Sequence, residues 1–158
     1  MLFKSIKFSL IFVLVNWLNS TKKEIVINKG YIITSLVTMS ELLNKVPDVD
    51  IDGHGKFKYI LISVYDERAN ATKSIVRGYA RAQWHSDIFN EVAEQVDSIR
   101  YLHSKCHGGG RIEHDPDEKT IKVYGYSQGF GKANHEETVS ILKKKYPDYS
   151  ITWSDDGY

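Results

Sequence analysis

The segment that most constrains this chain is residues 56–65, KFKYILISVY. Phe57, Tyr59, Leu61 and Ser63 alternate with Lys58, Ile60, Ile62 and Val64. Period-two alternation among β-branched and aromatic residues specifies a strand. Residues 52–55 (DGHG) form the turn before it, and the polar run 66–72 leads to a second short strand, 73–79, antiparallel to the first. The period then changes. Ile88, Phe89, Val92, Val96 and Ile99 fall at helical spacing, with Ser86 or Asp87 as the cap. Residues 105–110, with three consecutive glycines, break that helix. Residues 111–114 and 119–126 read as strands on either side of an Asp-Pro-Asp turn. A tight loop, SQGFG at 127–131, precedes a second helix that starts at Asn134 or His135 and ends at Tyr146, before Pro147. Residues 149–153 close as a last strand. This order predicts an α+β fold: a single domain with a mixed central sheet packed against two main helices.

Charge divides the chain in two. Its 158 residues carry a formal net charge of +1. Residues 1–38 hold five Lys, one Glu and no Arg, whereas residues 39–158 carry a net of −3 and all six His. Residues 1–20 have two lysines ahead of an apolar run, the shape of a secretory signal and too short for a comfortable membrane span of about 20 residues. The same stretch also reads as a dispensable extension, an artefact of the gene model or an organelle-targeting segment. Met39 opens a natural amino terminus, so the expected organisation is an extension, 1–38, and a domain, 39–158. Near-neutrality argues against a general nucleic-acid binder. The single cysteine, Cys106, excludes an intrachain disulfide framework and favours a reducing compartment. A cytoplasmic location follows, with the secretory pathway as the alternative if the signal is genuine.

Several residues have chemical potential, each with a plainer reading beside it. His103, Cys106, His107 and His114 crowd one region, but their spacing matches no standard zinc framework; a buried thiol and surface imidazoles account for them, and no metal is expected. Gly108–Gly110 followed by Arg111 could form a backbone anion nest with a guanidinium fork, or simply a flexible turn. The 127–131 loop leaves a strand for a helix, so its amides could hold an oxyanion or merely make the turn. His85 stands near a helix start, where a neutral imidazole suits a general base; a surface or capping histidine sits there equally well. Lys58 and Arg77 lie within strands, facing solvent or joining His85 in an oxyanion pocket.

The motifs FKYILI, IVRGY, WHSDIF, GGGRIEH, KVYGYSQGFG and KYPDY, with TWSDDGY at the end, occur in that order. In this set the chain resembles the Janus family, which unites animal phosphohistidine phosphatases with the sex-regulated Janus-A and Ocnus proteins of flies. The resemblance covers about residues 46–158, and SQGFG and GGGRIEH are most similar to the insect Janus-A type. It implies a central six-stranded sheet with two helices. It further implies hydrolysis of phosphohistidine in proteins, without a metal ion, by a monomer; no cofactor, nucleic-acid partner or membrane attachment is expected. His85 matches the catalytic proton acceptor, Lys58 the substrate-contacting lysine, and Ser127, Gln128 and Gly129 the phosphate-binding loop. Arg77, Arg111 and Gly110 are expected to support the anion. The vertebrate enzymes carry Met where Gln128 stands and Ala where Gly129 stands, which matters little if backbone amides hold the phosphate. The competing expectation is a non-catalytic regulator that binds phosphorylated partners.

Overall fold

The computed structural model describes residues 24–28, 31–35 and 41–155. The signal-like segment 1–20, Met39 and the terminal Asp-Gly-Tyr lie outside the described residues. The chain divides into two compact units, 1–41 and 42–158. In the first, β1 (Glu24–Asn28) and β2 (Tyr31–Ser35) pair antiparallel.

The second unit is built on a six-stranded mixed sheet. Its elements in order are α1 (Glu41–Asn44, a single turn that continues into this unit), β3 (Val49–Ile51), β4 (Gly55–Asp66), β5 (Ala71–Tyr79), α2 (His85–Asp97), β6 (Leu102–Asp115), β7 (Thr120–Tyr124), α3 (His135–Lys145) and β8 (Ser150–Trp153). The strands lie in the order β3-β5-β4-β6-β7-β8, antiparallel except for the outer pairs β3–β5 and β7–β8. The α+β prediction holds. The residue pattern alone missed β3, whose three residues are too few to display a period.

The alternation in β4 now has its cause. Phe57, Tyr59 and Leu61 join a core beneath α3 with Ile112, Val123 and Leu142. Ile60, Ile62 and Val64 join a second core beneath α2 with Ile88, Val92 and Val96. β4 is apolar on both faces because each face carries a helix. Each such buried side chain contributes about 1.5–3 kcal/mol.

Two local expectations are corrected. Residues 105–110 are not a break but the middle of the 14-residue strand β6. The extra residue is in β6: between the pairs Ile60–Gly109 and Ile62–Cys106 it sets His107 and Gly108 against Leu61 alone, a bulge at which Gly108 adopts φ +127°, a value side chains rarely tolerate. The three glycines are places of close approach rather than a nest. A β-carbon would lie 2.6 Å from the Lys132 carbonyl at Gly108, 2.8 Å from the His85 ring at Gly109 and 2.4 Å from the Tyr124 carbonyl at Gly110. The second correction is at the start of α2. Its N-cap is Trp84, and Asp87 acts from inside the helix, its carboxylate accepting the Trp84 N–H at 2.7 Å. Asn134 does cap α3, its side chain accepting the Glu137 N–H at 3.1 Å.

Candidate active site

On the α2 side of the sheet, the region past the helix start is polar. Lys58 of β4 is directly opposite Arg111 of β6, which sets their Cα atoms about 4.5–5.5 Å apart and lets both side chains rise from the same face. His85 is the first residue of α2 and the 127–130 segment follows β7. These groups line one open cavity of about 520 Å³: Lys58, Trp84, His85, Arg111, Ser127 and Gln128 to Phe130.

His85 is held in a defined state. It is 7% exposed, and its Nε2 lies 3.0 Å from the Gly110 carbonyl. A carbonyl can only accept, so Nε2 carries the proton and Nδ1 carries the lone pair. Nδ1 has no partner among the described residues and is not sealed from solvent. Burial is the main cause that lowers the His85 pKa below its ordinary 6.5; Lys58 and Arg111 lower it further, and the Gly110 bond opposes them. The imidazole is therefore neutral at pH 7 with one basic nitrogen available.

The loop beside it is braced by its own backbone. Ser127 and Gly131 exchange hydrogen bonds at 3.1 and 2.8 Å, and the Ser127 hydroxyl accepts the Phe130 N–H at 3.2 Å. Gly109 of β6 donates to the Gly131 carbonyl at 3.0 Å and accepts from Ala133 at 3.2 Å. The amides of Gln128 and Gly129 donate to nothing among the described residues. Two unspent N–H groups thus sit on a rigid loop beside Lys58, a cation that makes no ion pair among the described residues. The cavity can take an anion with a neutral base next to it.

The other predicted residues lie elsewhere. Arg77 is 5% exposed and its guanidinium donates to the carbonyls of Val76 and Pro47, at 2.9 and 2.7 Å. It braces the segment before β3 and does not line the cavity. Gly110 contributes its carbonyl to His85, and its amide is part of the β6 ladder. His103 pairs with Glu67 at 3.0 Å, His114 Nδ1 donates to the Asp52 carbonyl at 2.9 Å, and Cys106 is half-buried against the Gly108 carbonyl at 3.6 Å. His103 and His114 sit near opposite ends of β6, about 35 Å apart at strand rise. Among the described residues no three His, Cys, Asp or Glu side chains converge as metal ligands. Reading the residues missed Trp84 and Phe130 as cavity walls; for Trp84 the clue was its place directly before the candidate base His85, whereas Phe130 carried none.

The sequence matches the Janus/Ocnus family model over residues 43–150. The chain belongs to the Janus/Ocnus family. It is 53% identical over 118 residues to the sex-regulated protein janus-A of Drosophila melanogaster, covering 75% of this chain and 86% of that one. It is 46% identical over 121 residues to the 14 kDa phosphohistidine phosphatase of Sus scrofa, covering 73% of this chain and 95% of the relative. The family match spans β3 to α3 and so includes every cavity residue. Among the described residues, no helix is long and apolar enough to cross a membrane.

Proposed function

We propose that this Janus/Ocnus chain is a protein phosphohistidine phosphatase, with residues 39–158 as its functional domain. The observation that carries the reading is His85, fixed by the Gly110 carbonyl with Nδ1 open to an anion-binding cavity. Phosphoryl transfer is catalysed chiefly by positioning and electrostatics, which this cavity is equipped to supply. The amides of Gln128 and Gly129, with Lys58 and Arg111, hold the equatorial phosphoryl oxygens. Ser127 shapes the loop, while Arg77 and the Gly110 carbonyl support the site from outside the anion's reach. His85 Nδ1 takes a proton from the attacking water. The oxygen–phosphorus bond forms as the phosphorus–nitrogen bond breaks, and its electron pair passes to the imidazole nitrogen of the substrate. A substrate ring with a proton on its second nitrogen leaves as neutral histidine, phosphate departs, and the proton on His85 Nδ1 returns to solvent. None of these steps draws on a metal or cofactor.

The substrates in this reading are histidine-phosphorylated proteins, met by a monomer in the cytoplasm. A role in sex differentiation is the reading suggested by the names of the fly relatives.

The test is phosphate release from a phosphohistidine peptide by wild type and His85→Ala. We expect turnover by the wild type and a loss of at least about a hundredfold in the variant. A wild type that binds the peptide without hydrolysing it would make the chain a regulator of phosphorylated partners instead. Both roles open to His85 put one solvent oxygen into the released phosphate, so trapping separates them. Labelled phosphate recovered on His85 from a quenched single turnover makes it the nucleophile, and its absence from the protein throughout that turnover supports the base.

A further inference from the structure

We infer that Trp84 is the platform on which the substrate's imidazole ring lies, and that it sets a preference for phosphohistidine over phosphoramidates without a ring. The inference rests on the phosphatase reading above and extends it from the phosphoryl group to the leaving group.

Trp84 is 59% exposed, the most open of the large apolar side chains in the described residues. It adds little to either core, yet its root is rigid. It is the N-cap of α2, its N–H donates to the Asp87 carboxylate at 2.7 Å, and its carbonyl accepts the Asp87 N–H at 3.2 Å. The next residue, His85, is anchored to Gly110. The indole therefore projects from a fixed stretch of backbone next to the base, and it lines the same cavity.

The other walls recognise charge. Lys58, Arg111 and the amides of Gln128 and Gly129 can hold any phosphoryl group and carry no information about what the phosphorus is bonded to. Phe130 also lines the cavity, but its ring is half-buried edge-on against Phe89, with centroids 5.6 Å apart. Trp84 is left as the open aromatic surface. A phosphohistidine presents a flat ring one bond from phosphorus, so a ring bound there lies within reach of the residue next to His85. An indole face attracts flat aromatic rings and, more strongly, cationic ones. A substrate imidazole protonated at its second nitrogen is both, and protonation makes it the better leaving group.

The experiment compares wild type, Trp84→Ala and Trp84→Phe on a phosphohistidine peptide and on inorganic phosphoramidate, which has the same bond and no ring. We expect Trp84→Ala to lose about tenfold in kcat/KM on the peptide and less than about twofold on phosphoramidate, with Trp84→Phe recovering most of the loss. Equal losses on both compounds, or none on the peptide, overturn the platform and leave the phosphatase reading standing. A second arm reads binding alone, by calorimetry with a stable pyrazole phosphonate and with methylphosphonate. Wild type should prefer the ring compound and Trp84→Ala should lose that preference. If the wild type shows no preference, the platform is overturned. If it shows the preference but cleaves neither phosphorus–nitrogen compound, the phosphatase reading fails and the platform stands as a binding feature.

Discussion

His85 and His135 occupy matching places on opposite faces of the sheet. Each is the first residue of a helix, and each donates Nε2–H to a backbone carbonyl, Gly110 at 3.0 Å and Gly125 at 2.9 Å. Each is buried, and burial lowers each pKa below the ordinary 6.5. They differ at the second nitrogen. Nδ1 of His135 accepts the Tyr59 hydroxyl at 2.6 Å, inside the α3 core. Nδ1 of His85 faces a cavity with Lys58 and Arg111. A helix-start histidine thus becomes structural or reactive according to what meets its remaining lone pair.

The largest effect expected from this contrast is on turnover. His85→Ala should lose at least about a hundredfold in kcat, with a smaller fall in Tm than the His135 variant because it gives up one hydrogen bond, to the Gly110 carbonyl, rather than two. His135→Ala should do the reverse. It leaves the Tyr59 hydroxyl and the Gly125 carbonyl without their partner, at about 1–3 kcal/mol each, while turnover per folded molecule stays near wild type. Steady-state kinetics beside thermal melts would show it. A His135 variant that folds normally and is inactive would break the comparison.

Gly110 is contacted from both faces, so Gly110→Ala should damage both regions. The new methyl meets the Tyr124 carbonyl at 2.4 Å and the Tyr59 ring at 2.9 Å. A loss of about 1–3 kcal/mol is expected, together with reduced kcat as the carbonyl that orients His85 shifts. Lys58→Ala should be milder, raising KM about tenfold with a smaller change in kcat, because it removes a contact to the bound anion.

The pH dependence sharpens the distinction. Activity should be level near pH 7 and fall on the acid side, below 6.5, as Nδ1 of His85 takes a proton. Stability should fall there too. Both histidines have folded pKa values below the unfolded value, so the unfolded chain binds protons first as pH drops. Their contribution is present above 6.5 and is lost as pH falls through the folded values. In His135→Gln the acid limb of activity should persist while the acid loss of stability becomes shallower, measured by pH–rate profiles and denaturant melts. The smallest effect belongs to Gly129→Ala. Nothing lies within 4 Å of its missing β-carbon, and the amide survives, so stability should move by less than about 0.5 kcal/mol.

Much of this was legible in the residues. The period-two run of β4 and the helical spacing of Ile88, Val92 and Val96 are local patterns, and local patterns report the elements that carry them. The ordered motifs carried the family and pointed to His85, Lys58, Arg111 and the 127–129 loop, which the fold brings into one cavity. Other points were not legible. Consecutive glycines read as a break because their permissiveness is visible in sequence and the atoms that crowd them are not. Arg77 read as an anion contact, yet its partner at Pro47 lies 30 residues away.

The sequence by itself determined the α+β order, the family and the residue types available for an anion and a base. Only the tertiary structure decided which of two helix-start histidines keeps a free nitrogen and which arginine faces the cavity. The physical reason is range. Helix and strand periods are set by neighbours a few residues apart, whereas a lone pair is consumed by whatever the fold carries to it. For His135 that is a tyrosine 76 residues away, and for His85 no described residue arrives.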